Sequence, residues 1–201
     1  MTKVAAGITT SLDGYVAGPN DGPGNGLGDG GERLHNWVFG GPWDAENPGQ
    51  ATGVDKEFLD QGISRGGAII GGRTTFDFAF DAPDGWGGKN PFGVPFFIVT
   101  HRPEEQPEGE HFRFVGDLAE AVAAAREVAG DKNVHIMGGA DTIRQALAAG
   151  LVDELSIVVA PVVLGGGKRL FDGFEKSVEL EHKGIRQSPY ATFIDYVVRR
   201  D

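Results

Sequence analysis

The sequence predicts an α/β fold: a central, mostly parallel sheet flanked by helices in three layers and finished by an antiparallel C-terminal edge. Three observations carry that reading. Short apolar strands alternate with amphipathic helices between Ala68 and Ala149, the order that builds a parallel sheet. Pro95 to Thr100, PFFIVT, is a continuous apolar run of the kind buried on both faces of such a sheet. Near Ser177 to Gly184 and Ala191 to Arg199, polar and apolar residues alternate as in an antiparallel pair. With 201 residues, 40% of them hydrophobic, the chain is long enough to bury a large core, and a single domain over residues 1–201 is expected.

The elements follow in chain order. Lys3 to Thr10 is rich in small and β-branched residues and stops at Asp13-Gly14, so it reads as the first strand. Residues 18–53 are dense in Gly, Pro, Asn and Asp, a length of loop that is normally a lid or a binding loop. Leu34, Trp37, Val38, Phe39 and Trp43 within it favour an ordered lid over a linker. Asp55 to Gln61 is a short helix stopped by Gly66-Gly67, and Ala68 to Ile70 a buried strand running into a brief helix, Arg73 to Phe80. Asp117 to Ala129 places Leu118, Val122 and Val128 on one face, with Asp117 as N-cap and Gly130 as stop. Val134 to Met137 is the next strand, Asp141 to Ala149 the next helix and Leu155 to Val163 a long strand.

Composition removes several classes of function. The net charge of -11, from 29 acidic and 18 basic residues, disfavours a broad nucleic-acid or membrane surface, which needs clustered Lys and Arg. Any phosphate site must be local. The absence of cysteine excludes thiol nucleophiles, disulfides and cysteine-ligated zinc, and the five histidines show no metal spacing. His101 and His111 read as surface residues. The N-terminus has neither the pattern of a signal peptide nor an apolar span, which makes the cytoplasm the expected compartment.

Three strand ends suit a nucleotide. In open α/β sheets ligands lie beyond the carboxyl ends of the strands, where glycine permits close approach and helix N-termini offer free N-H groups to phosphate. Ile70 to Phe76, IGGRTTF, supplies a cation at Arg73 and hydroxyls at Thr74 and Thr75. Val99 to Pro103, VTHRP, ends a strand in a hydroxyl and a guanidinium, and Arg102 suits a 2'-phosphate through paired donors. Met137 to Thr142, MGGADT, joins a strand to a helix through two glycines. This third strand end lacks the G-x-G-x-x-G spacing, and no G-x-x-x-x-G-K-[ST] occurs in the chain, so neither a standard dinucleotide fingerprint nor a P-loop fits.

The ordered series SLDGYVAG, GGRTTFD, IVTHR, MGGADTIRQAL and DELSIVVAPVVLGGG resembles the dihydrofolate reductase superfamily. More narrowly, it is similar to the branch holding the C-terminal reductase domain of the bifunctional riboflavin-pathway deaminase-reductase and its stand-alone relatives. The resemblance covers nearly the whole chain and implies the dihydrofolate-reductase-like fold, about eight strands, and NADPH as cofactor. By that resemblance Gly72, Arg73, Thr74 and Thr75 match a cofactor turn, and Thr100 and Arg102 the loop around the adenosine ribose and its 2'-phosphate. Met137, Gly138, Gly139, Ala140, Asp141, Thr142 and Ile143 match the turn that cradles the pyrophosphate and borders the nicotinamide. Thr9 and Ser11 fall beside the nicotinamide, and Trp37 mirrors a tryptophan of the mobile active-site loop.

The proton source is less well marked. Asp55 and Glu57 stand roughly where a folate reductase keeps its carboxylic acid, yet they also read as solvated carboxylates at a helix start. Asp13 is the other candidate acid and equally a turn former. Arg33, His35 and Lys56 are available as cations for a ribose phosphate. The expected activity is an NADPH-dependent oxidoreductase delivering hydride to a small heterocycle or ribosylated pyrimidine, with 5-amino-6-(5-phosphoribosylamino)uracil of riboflavin synthesis as the specific substrate. Reduction of dihydrofolate or another pterin is an alternative, and NADP binding without turnover a third. The resemblance also implies a homodimer, with the long strand LSIVVAPVV near a sheet edge.

Overall fold

The computed structural model describes residues 2–44, 46–80, 86–104 and 112–199, so His111 lies outside the described residues. In chain order the strands and helices are β1 (Val4–Ser11), β2 (Tyr15–Ala17), α1 (Asn36–Phe39), α2 (Gly53–Arg65), β3 (Gly66–Gly72), α3 (Arg73–Phe80), β4 (Phe96–Val99) and β5 (Phe112–Val115). There follow α4 (Leu118–Ala129), β6 (Asn133–Met137), α5 (Ala140–Ala148), β7 (Glu154–Ala160), β8 (Lys168–Arg169), β9 (Leu180–Gln187) and β10 (Thr192–Val198). A 3-10 turn, Gly31–His35, leads into α1.

Eight strands form one sheet in the order β5-β4-β3-β6-β1-β7-β10-β9. Pairing is parallel from β5 across to β7 and antiparallel for β10 and β9. This is the mixed sheet with an antiparallel edge that the sequence predicts. β2 and β8 pair separately, a small ladder of segments too short to show a period in the sequence.

Two alternations set the layers. Val4, Ala6, Ile70, Phe97, Val134, Ile136 and Leu155 turn to one face and pack against Leu118, Val122, Ile143 and Leu147 of α4 and α5. Asp117 accepts from the Glu120 amide at 2.9 Å and caps α4 as expected. The opposite face carries two aromatic clusters. One gathers Ile69, Phe76, Phe80, Phe96 and Ile98; the other gathers Trp37, Val158, Ala191 and Phe193, with Phe58 of α2 packed against it.

Several boundaries differ from expectation. α2 extends from Gly53 to Arg65 rather than stopping at Gln61, because Gly62 is tolerated inside it and the chain breaks only at Gly66. β7 ends at Ala160, since Pro161 has no N-H to continue a ladder. It also lies between β1 and β10, so it offers no sheet edge; the free edges are β5 and β9. β9 begins at Leu180, three residues after the expected start, and β5 is a short edge strand that the sequence reading missed.

Candidate functional site

The carboxyl ends of β1, β3, β4 and β6 open into a cleft of about 2140 Å³, several times the volume a single small ligand needs. That volume suits a dinucleotide together with a second molecule. Of the residues singled out from the sequence, Thr9, Trp37, Gly72, Arg73, Thr74, Thr75, Thr100, Arg102, Met137, Gly138, Gly139, Ala140, Asp141 and Thr142 all line it.

The glycine pair has a geometric cause. Gly138 and Gly139 both hold left-handed backbone, at φ 66 and 76, which ordinary residues enter only at a cost of about 1–2 kcal/mol each. A Cβ on Gly139 would lie 3.2 Å from Thr142 Oγ1 and 3.4 Å from Thr75 Oγ1, whereas one on Gly138 would meet nothing closer than 3.8 Å. Gly139 therefore lets the first turns of α3 and α5 converge, and Gly138 leaves the cleft side open. Gly72 serves the same convergence: a Cβ there would stand 2.6 Å from Thr142 Oγ1. Backbone N-H groups of two helix starts and the hydroxyls of Thr75 and Thr142 thus meet at one point.

Several cations line the cleft. Arg73 is held by Asp77 through a 2.6 Å contact one turn along α3. The Arg102 amide donates to Thr100 Oγ1 at 3.1 Å, which shapes the turn after β4 and leaves the guanidinium at the exposed rim. Arg144, Lys168 and Arg169 also line the cleft. Lys168 and Arg169 form β8, whose pairing with β2 is invisible in a one-dimensional pattern, and Arg144 belongs to α5.

At the opposite end, Thr9 is only 8% exposed and its Oγ1 accepts from Trp37 Nε1 at 3.1 Å. This bond ties the 18–53 segment to the end of β1. Trp37 also meets Phe58 and Phe193 edge to face, at 5.6 and 5.3 Å.

Other expected residues sit elsewhere. Ile143 is wholly buried in the core beneath the turn, and Ser11, 1% exposed, turns its hydroxyl to Asp13 Oδ1 at 2.6 Å. Neither lines the cleft. Asp13 also accepts from the amides of Leu164 and Gly165, at 3.1 and 2.8 Å, and so clips the loop after β7 to the end of β1. The Ser11 hydroxyl, followed by those two amides and opposed by partial burial, holds its carboxyl down at about 2. Asp55 is not solvated: it is 3% exposed in the first turn of α2, and its Oδ1 is buried without a hydrogen-bond partner. Glu57, on the exposed face of α2, is the solvated one of the two.

The three candidate cations of the loop also separate. Lys56 is paired with Asp60 on the surface, and Arg33 Nε donates to the Gly30 carbonyl at 3.0 Å. His35 lines the cleft, but burial lowers its pKa and its Nδ1 has no partner, so it is neutral near pH 7 rather than a cation. His101 is exposed, as expected. Among the described residues no group of His, Asp and Glu forms a metal site, and no helix is long and apolar enough to cross a membrane.

Known proteins share this architecture. Residues 2–192 match the RibD C-terminal domain. A putative riboflavin biosynthesis protein from Shewanella sp. PV-4 superposes over 99% of this chain and 100% of its own, with a TM-score of 0.74 and 27% identity. A pyrimidine reductase-like protein from Corynebacterium diphtheriae, at 18% identity, covers 100% of this chain and 93% of its own with a TM-score of 0.60. Dihydrofolate reductase from Enterococcus faecalis, in complex with NADP(H) and RAB-propyl, covers 98% and 97% with a TM-score of 0.61 and 18% identity. An uncharacterized Bacillus subtilis protein is 32% identical over 101 residues, which span 50% of this chain and 58% of that protein. The chain belongs to the RibD C-terminal domain family, on a fold shared with dihydrofolate reductase.

Proposed function

We propose that the chain is an NADPH-dependent reductase of a small heterocyclic or ribosylated pyrimidine substrate. The observation that carries this reading is the open Gly138 beside the convergent starts of α3 and α5, a cradle a side chain would fill and a pyrophosphate suits. NADPH would supply hydride from its nicotinamide ring. Gly72, Arg73, Thr74, Thr75 and the turn 137–142 would hold the pyrophosphate, with Thr100 and Arg102 around the 2'-phosphate. Thr9 would border the nicotinamide, and Trp37, anchored to Thr9, would bring the 18–53 lid over it and exclude water. A single domain over residues 1–201 is part of this proposal.

The favoured substrate is 5-amino-6-(5-phosphoribosylamino)uracil, supported by the family and by the riboflavin and pyrimidine reductase names of the structural neighbours. Asp13 does not serve as the acid, since a carboxyl held near 2 and bound to two amides carries no proton to give near pH 7. The second reading, a pterin reductase, would draw on Asp55, whose buried Oδ1 has no hydrogen-bond partner, although Asp55 is not among the residues that line the cleft. NADPH oxidation followed with that aminouracil and with dihydrofolate separates the two. Turnover of dihydrofolate alone, abolished in Asp55→Asn, replaces the first reading by the second; oxidation of NADPH by neither leaves only a nucleotide-binding protein.

A further inference from the structure

The sheet face that floors the cleft is aromatic at both flanks and bare along β1 in the middle. Between the Phe96 cluster and the Phe193 cluster, β1 presents Ala5 and Gly7, flanked by His135 and Met137 of β6 and by Glu154 and Ser156 of β7. A packed sheet would place β-branched residues there; this one leaves a gap. A Cβ on Gly7 would lie 3.2 Å from His135 Cε1 and 3.6 Å from its Nε2, so the imidazole leans over the bare glycine. On the other side Gly7 is paired with Ser156 of β7. Ser156 donates its proton to Asp195 Oδ1 at 2.6 Å, and Asp195 is fixed in turn by Arg186 at 2.6 Å, which reaches Gln61 of α2 at 3.0 Å. The serine oxygen is thereby set as an acceptor. Among the described residues the His135 side chain has no hydrogen-bond partner, although it lines the cleft. Thr9, the next residue of β1 on this face, lies about 7 Å farther along the strand.

We propose that Gly7 is a shelf for a planar, uncharged heterocycle with an amide edge, and that His135 and Ser156 are the specificity-determining contacts on its two sides. A ring N-H donates to Ser156 Oγ and a ring carbonyl accepts from the His135 imidazole. This rests on the reductase reading, which puts the reacting end of the cofactor beside Thr9 and so places the acceptor ring over Gly7. Burial keeps the imidazole neutral, down at about 4, so the contact is a hydrogen bond and offers a carboxylated ring no ion pair.

Uracil is the probe, titrated calorimetrically into the protein with and without NADPH. Saturable binding is expected, about tenfold weaker in His135→Leu and close to native in His135→Gln, whose amide restores a donor and an acceptor. A merely structural histidine would not be rescued in this way. Gly7→Ala, which sets a methyl on the shelf, is expected to lose uracil about tenfold as well and gives the answer should His135→Leu fail to fold. No binding to the native protein at millimolar uracil, or equal binding to native, His135→Leu and Gly7→Ala, overturns the assignment. NADPH affinity, read separately by tryptophan quenching, keeps the two readings apart: NADPH bound and uracil ignored sinks the shelf alone, and the reverse sinks the cofactor site alone.

Discussion

His135 and Asp13 are titratable residues whose roles emerge only from what surrounds them. His135 belongs to Asn133–Met137, whose alternate residues Val134 and Ile136 are in the core, so its side chain was bound to face the other way. The period-two pattern was legible in the sequence, but the cleft on that other face was not, because it depends on Gly7 of a distant strand. Its folded-state pKa of about 4 lies below the ordinary 6.5, so below about pH 6.5 the unfolded chain takes up a proton that the native chain refuses. Stability is therefore lost as pH falls from about 6.5 towards 4, by up to about 3 kcal/mol from this group, and His35 acts in the same direction. Chemical denaturation of native and His135→Gln protein across that range is expected to show a shallower slope in the variant. Asp13 has the opposite dependence. Its depressed pKa means that the clip is intact above about 3.8 and lost as pH falls through about 2. Asp13→Ala is expected to abolish the hydrogen-exchange protection of the Leu164 and Gly165 amides while leaving that of β1 intact.

At the scale of the element, the turn from β6 into α5 was the most informative stretch. Two adjacent glycines between an apolar strand and a helical pattern have few uses, and the structure gives both left-handed backbone. What the string lacked was the partner: Thr75 and Gly72 come from α3 and β3, some 65 residues earlier in sequence and adjacent only because β3 pairs with β6. Gly139→Ala is expected to cost about 1–2 kcal/mol in denaturant melts, since the residue carries positive φ and its methyl would crowd Thr142. Loss of NADPH binding beyond that explained by unfolding would mark the turn as part of the cofactor site. β2, β5 and β8 were illegible for a common reason: each is four residues or fewer, too short to show a period.

For the whole molecule, the β/α alternation and the apolar parallel strands made the architecture readable, whereas the edge of the sheet did not follow from apolarity. The most apolar late strand, β7, is interior, and the exposed edge is the polar β9, where Ile185 is 62% exposed. Any homodimer formed through the sheet edge must therefore use β9 or β5. Light scattering is expected to give twice the 21.3 kDa of one chain, and a monomeric particle would remove the dimer. The core that carries the cleft is built around fully buried residues such as Ile136, and Ile136→Ala is expected to cost about 2–5 kcal/mol in the same melts.

In the proposed function the cleft binds NADPH and reads its 2'-phosphate. Trp37, Trp43 and Trp86 all line the cleft, so their fluorescence reports its occupancy directly. NADPH and NADH are titrated against the native protein and against Arg102→Ala. Quenching by NADPH is expected at an affinity about tenfold or more above that for NADH, with the preference, about 1.4 kcal/mol, gone in the variant. Quenching by neither nucleotide would contradict it, and would reduce the three strand ends to turns.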